Sequence, residues 1–189
     1  MKIGFLLVLL FIVQVPVNAQ ETPKFEIGTQ YSALRIPSNR AGCLGCMVFN
    51  HGLGARFVVN LNRALAIDSE FDFFPDEGNG ATNISGGRVT TTFVGLKAGY
   101  RTKRFGIFGK VRPGLQTYGR ALNSVSPTLQ FGSRKNFALD LGGVAEYYPS
   151  RRMAFRFDVG DTRIHFDSGD FGHFWGNNLQ ITSGIVFRF

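Results

Sequence analysis

From Lys24 to its last residue the chain switches between apolar and polar side chains with a period of two. Only pleated strands give that period a meaning, because successive side chains on a strand point to opposite faces. Eight segments carry it: Lys24–Ile36, Gly52–Leu61, Leu65–Phe74, Thr90–Tyr100, Phe105–Thr117, Phe137–Tyr148, Met153–Phe166 and Leu179–Phe189. Beyond Gly160 the phase slips by one, so that Ile164 and Phe166 become the apolar face. This predicts a β-bulge there, with His165 turned inward. Pro113, which lacks a ladder donor, is expected near a rim or at a bulge. The connections alternate in length. Those at Pro37–His51, Pro75–Val89, Tyr118–Asn136 and Asp167–Asn178 are long, and those at Asn62–Ala64, Arg101–Arg104 and Pro149–Arg152 are short.

Alternation alone also suits a soluble sandwich, so the direction of the apolar face decides the class. The polar face carries Glu26, Asp68, Glu70, Asp72, Asp140, Glu146 and Asp158 against Arg56, Lys97, Lys110, Arg112, Arg156 and Arg188. An eight-stranded barrel is only wide enough for its own side chains to fill it, and opposite charges packed inside can pair. Arg188 is expected to find Glu26 on the adjoining first strand. Aromatic residues gather at strand ends. Phe25, Tyr100, Phe105, Tyr147, Phe155, Phe187 and Phe189 lie toward the short turns, and Phe73, Tyr118, Phe137 and Phe166 toward the long loops. Two aromatic girdles around an apolar band suit the interfaces of a bilayer. The reading is all-β: a closed eight-stranded antiparallel up-and-down transmembrane barrel with outward apolar residues and a charged lumen. The 20 Phe and 24 Gly agree with strands and tight turns rather than helices.

The first residues, one lysine followed by an apolar run from Ile3 to Val13 and a small-residue site at Val17-Asn18-Ala19, read as a secretory signal peptide over 1–19. The barrel domain is then 20–189. The run is too short for a membrane anchor, and no later stretch is long and apolar enough for a spanning helix. The formal charge of +8 fits anionic lipid head groups better than nucleic acid in an exported protein. Arg63, Arg101, Lys103, Arg104, Arg151 and Arg152 in the short turns either meet such head groups or simply keep the turns soluble.

The plan resembles small outer-membrane barrels of the OmpA/OmpX type over the whole chain after the signal segment. The ending "NNLQITSGIVFRF" is similar to the terminal strand of that class. The resemblance implies that Ile181, Ile185, Phe187 and Phe189 form a signal read by the barrel-assembly machinery; Ser183 departs from the pattern. It also implies a place in the bacterial outer membrane, among its lipids and lipopolysaccharide.

Few residues suggest chemistry. Cys43 and Cys46 share the first long loop, and export favours a local disulfide over free thiols or a metal site. His165, Asp167, Ser168, Asp170 and His173 cluster by the last loop, but His165 and Ser168 are three apart, which puts them on opposite faces of a strand. No catalytic site, cofactor or metal is expected. The expected role is a structural, adhesive or receptor-like platform for exposed loops, with a narrow solute channel and a lipid A-modifying enzyme as alternatives.

Overall fold

The computed structural model describes residues 22–40, 43–75, 85–124, 130–168 and 172–189. Within these, the side chains of 36–40, 43–48, 85–87, 120–124, 130–132, 167–168, 172 and 174 lie outside the description. The elements are β1 (Phe25–Arg40), β2 (Cys43–Asn60), β3 (Leu65–Phe74), β4 (Ser85–Arg101), β5 (Phe105–Ser124), β6 (Gln130–Tyr147), β7 (Met153–Ser168) and β8 (Gly172–Arg188). Each pairs antiparallel with its neighbours in sequence, and β8 pairs with β1 to close the barrel. The seam is sealed at its end by reciprocal backbone bonds: Phe189 N–H donates to the Phe25 carbonyl at 2.8 Å, and Phe25 N–H to that of Phe189 at 3.2 Å. Closure leaves no unpaired sheet edge, which lipid would not tolerate.

The short turns are made by side chains suited to them. Asn62 Oδ1 accepts from the Ala64 and Leu65 N–H groups, each at 2.8 Å. Thr102 Oγ1 accepts from Phe105 N–H at 2.9 Å, while Thr102 N–H donates to the Phe105 carbonyl at 2.7 Å. Both are local side-chain or backbone substitutes for a ladder bond, which is what turn-forming Asn and Thr supply.

Three expectations need correction. Most of the residues expected in long loops are strand: β1 runs to Arg40, β2 starts at Cys43, β5 runs to Ser124 and β6 starts at Gln130. The hairpins continue pairing past the segments in which apolar and polar residues alternate, so the period no longer marks the strand. There is no bulge at Gly160. It pairs in register with Gly142 and with Gln180, and β7 keeps its phase to Ile164, which is buried. The register shifts fall instead at Ser38/Arg40, Gly86/Val89, Tyr118/Ala121 and Leu122/Ser124, toward the far ends of the hairpins. Finally, Pro113 sits at neither rim nor bulge. It pairs in register with Leu139 on β6, while the β4–β5 register skips Val94 and Gly95 opposite it. The register is the same on both sides of that gap, so the interruption is the proline's own: it has no N–H to give to β4.

Candidate functional site: the filled lumen

Strand parity sorts the side chains into a lumen and an outer wall. The wall carries Ile27, Leu53, Phe57, Phe71, Leu96, Ile107, Val111, Leu115, Phe157 and Ile185, all exposed. Phe25, Tyr100, Phe105, Tyr147, Phe155, Phe187 and Phe189 ring its short-turn end, with the Phe105 and Tyr147 rings tilted against each other at 5.2 Å. At the other end Phe73 and Phe137 face outward, joined by Trp175. Tyr118 and Phe166 do not belong to that girdle. Tyr118 is buried, and Phe166 packs with it at 6.1 Å inside the barrel.

Inside, Glu26, Arg56, Asp68, Glu70, Asp72, Lys97, Lys110, Arg112, Asp140, Glu146, Arg156, Asp158 and Arg188 are all buried. Asp68 is the hub: its Oδ2 lies 2.6 Å from Arg156, 3.1 Å from Arg112 and 3.3 Å from Arg56. Arg112 forks onto Asp140 at 2.6 Å and Glu70 at 2.8 Å. Arg56 also pairs with Glu70 and, at 3.0 Å, with Asp158. Lys110 bridges Asp140 at 2.8 Å and Asp158. Lys97 reaches Glu146 at 2.5 Å. Arg188 meets Glu26 at 3.4 Å across the seam. Glycine makes the room. A Cβ on Gly160 would lie 2.0 Å from Asp140 Oδ1 and 2.9 Å from Lys110 Nζ.

Asp72 differs from its neighbours. Among the described residues no cation pairs with it; Ser32, Gln30 and Gln180 donate to its carboxylate at 2.6, 2.7 and 2.8 Å. Arg101, expected in a short turn, instead lies in the lumen, 3.3 Å from Glu26 and 3.5 Å from Glu146. With it the buried ionisable side chains among the described residues number seven acids and seven bases. Parity along β4 from Lys97 through Gly99 was the signal that would have placed Arg101. Tyr148, the last residue of the sixth segment, is a further functional residue that the polar row did not name. It continues the inward row of Glu146, donates to that carboxylate at 2.5 Å and accepts from Arg101 Nε at 3.0 Å. The Arg188 guanidinium lies over its ring at 4.2 Å. Burial and the Glu146 carboxylate push the Tyr148 phenol well above its ordinary value, so it stays a neutral donor.

Toward the outer hairpins the lumen turns apolar. Leu34, Phe74, Val89 and Tyr118 form one buried cluster, Phe93, Ala138 and Ile164 another, and Phe166 packs against both. From the short-turn end the interior is therefore a tyrosine floor, an ionic middle and an outer layer in which these apolar clusters sit beside buried Gln116, Asn136, Thr162 and Asn178.

The histidine cluster divides. His165 faces the outer wall, not the lumen, with its ring 4.9 Å from Trp175 and 5.5 Å from His173. The side chains of Asp167 and Ser168, and all of Asp170, lie outside the described residues, as do the side chains of Cys43 and Cys46 and the whole segment 1–19.

A closed barrel with an apolar wall, aromatic girdles and charges confined to its interior is an integral outer-membrane protein. The chain belongs to the outer membrane protein beta-barrel domain family, whose model matches residues 3–189. It is similar in fold to Neisserial surface protein A, at 10% identity and a TM-score of 0.64 over 90% of this chain and 100% of that one. It is likewise similar to Ail, the attachment invasion locus protein of Yersinia pestis, solved with the heparin analogue sucrose octasulfate: 14% identity and a TM-score of 0.54 over 89% of this chain and 100% of that one. OprG of Pseudomonas aeruginosa follows at 12% and 0.52, over 92% and 99%. Comparison with curated proteins gives no match.

Proposed function

We propose that this barrel is a rigid outer-membrane platform whose work is done by its outer hairpins, in a structural, adhesive or receptor-like role, and not a conduit or an enzyme. One observation supports the reading: among the described residues the middle of the lumen is packed with paired charges, and tightly packed side chains lie above them. Carrying a solute through would mean breaking buried ion pairs, each break costing about 3–5 kcal/mol. The outer hairpins extend β1–β2 and β5–β6 beyond the apolar band, and Arg88, Lys135 and Arg163 are exposed toward that end. His165 supports this over an enzyme reading, since its ring lies tilted against Trp175 in the outer wall. Lipopolysaccharide would surround the outer half, and the assembly machinery would read Ile181, Ile185, Phe187 and Phe189. Reconstitution into planar bilayers tests the proposal: the barrel gives no steady single-channel current, and a stable porin-sized conductance would overturn it in favour of transport.

A further inference from the structure

The short-turn mouth of the barrel holds a feature that neither a platform nor a plugged lumen requires. A basin of about 570 Å³ opens there, within the size range of small-ligand sites. Six cations line it, Arg63, Arg101, Lys103, Arg104, Arg151 and Arg188, and no acidic side chain does. Arg101 and Arg188 are already paired to Glu26 and Glu146 behind the floor. The other four have no carboxylate partner among the described residues, so the mouth keeps an excess of positive charge.

The basin is also organised. Tyr148 fixes the two inner arginines, accepting from Arg101 Nε and stacking under Arg188. Arg63 Nε donates to the Arg101 carbonyl at 3.0 Å, which holds its guanidinium at the edge. Arg101 is only 5% exposed, and its Nη1 is buried with no hydrogen-bond partner. The Arg101 guanidinium also lies over the Phe108 ring at 5.3 Å, which fixes it at the floor of the basin.

We propose that the short-turn mouth is a binding site for phosphate-bearing anions. Five of the six cations are arginines, whose planar forks match phosphate oxygens two at a time. In barrels of this class the short turns face the periplasm, so the ligand comes from that side. Two sources carry the chemistry. A soluble phosphate can enter along the barrel axis. A lipid phosphodiester can enter from the rim, because an adjoining depression runs from Arg188 and Arg151 past Arg152 to Phe189 on the lipid-facing wall.

The test uses the full barrel in phosphatidylcholine nanodiscs, titrated with inorganic tripolyphosphate by calorimetry at about 0.1 M salt, where weak long-range attraction is largely screened. Saturable one-to-one binding is expected. The triple substitution Arg63→Gln, Arg104→Gln and Arg151→Gln changes only turn side chains and should weaken binding by about tenfold or more. Arg88→Gln with Arg163→Gln, at the opposite end, should change it less than about twofold. Heat-modifiable mobility of both variants on gels confirms that they are folded. No saturable binding, or equal weakening by the two variants, overturns the proposal. Native mass spectrometry from phosphatidylglycerol membranes separates the sources. A phosphatidylglycerol retained by the wild type and lost from the triple variant identifies the lipid, and its absence alongside tripolyphosphate binding identifies a soluble phosphate. These readouts are independent of conductance, so the site and the platform reading stand or fall separately.

Discussion

Asp68 and Asp72 lie four residues apart on β3, and both are completely buried, yet they should respond very differently to the same substitution. Asp68→Asn removes the negative charge on which Arg56, Arg112 and Arg156 converge while changing almost no volume. Each arginine keeps another acid, Glu70, Asp140 or Glu146 among them, so the lumen is not emptied of partners. Three guanidiniums nevertheless converge on a neutral amide in a closed interior, and breaking a buried pair typically costs about 3–5 kcal/mol. Asp72→Asn removes a charge that only amide and hydroxyl donors meet. The new amide keeps an acceptor for some of them and loses at most a hydrogen bond or two, a cost of about 1–2 kcal/mol. Urea unfolding of the barrel in lipid vesicles measures both, with Trp175 as the single tryptophan reporting by fluorescence and gel mobility as a second probe. The expected difference is about 2 kcal/mol or more between the two variants. Equal costs would mean that burial of a carboxylate matters and its cation partners do not, and the ionic account of the lumen would fail.

Gly160→Ala should destabilise the barrel by about 1–3 kcal/mol in the same assay, because the added methyl would press on the Asp140 carboxylate and the Lys110 ammonium; a neutral effect would show that the ionic middle is looser than described. Deleting Phe189 should lower the amount of barrel in fractionated outer membranes far more than it changes refolding into detergent, and normal membrane levels would reduce the terminal ring to ordinary strand. Replacing Cys43 and Cys46 with serine should leave the barrel folded, since a disulfide between them would close only a tiny loop. Thiol labelling of the wild type without reductant should find neither cysteine free, and labelling of both would end the disulfide reading.

Strand parity explains both what could be read from the sequence and what could not. Where one face met lipid and the other met charge, as in Phe25-Glu26-Ile27 or Phe187-Arg188-Phe189, chemistry and geometry alternated together and each side chain could be assigned. Arg188 opposite Glu26 needed only that alternation and the meeting of first and last strands. The same rule misleads wherever the lumen itself is apolar. Ile164 and Phe166 give the pattern of a phase slip because a buried apolar residue inside the barrel has the same letter as one facing lipid. Following parity strictly, instead of polarity, would have kept them inward and turned His165 out. Arg101 is lost to a different error, that of ending the strand at the first turn-like residue, whereas Tyr148 lies inside the sixth segment and needs only the same parity to join the inward row of Glu146. The network of specific pairs had no sequence signature, since Arg56 and Asp158 are 102 residues apart and meet only across the closed lumen.

That cross-lumen pairing constrains how such a molecule can be made. Arg156 reaches from β7 to Asp68 on β3, and Arg112 from β5 to Glu70 on β3. A sheet of six or seven strands opened flat in the bilayer would present these guanidiniums and carboxylates to hydrocarbon with their partners out of reach. Charges left at the bilayer midplane cost about 2–4 kcal/mol each for Arg or Lys, so a half-built sheet carrying several is heavily disfavoured. Insertion and curling therefore have to advance together, with the sheet already bent into a bowl around its charges as it crosses the membrane. The joining of β8 to β1 then works as a latch on an interior that is already paired.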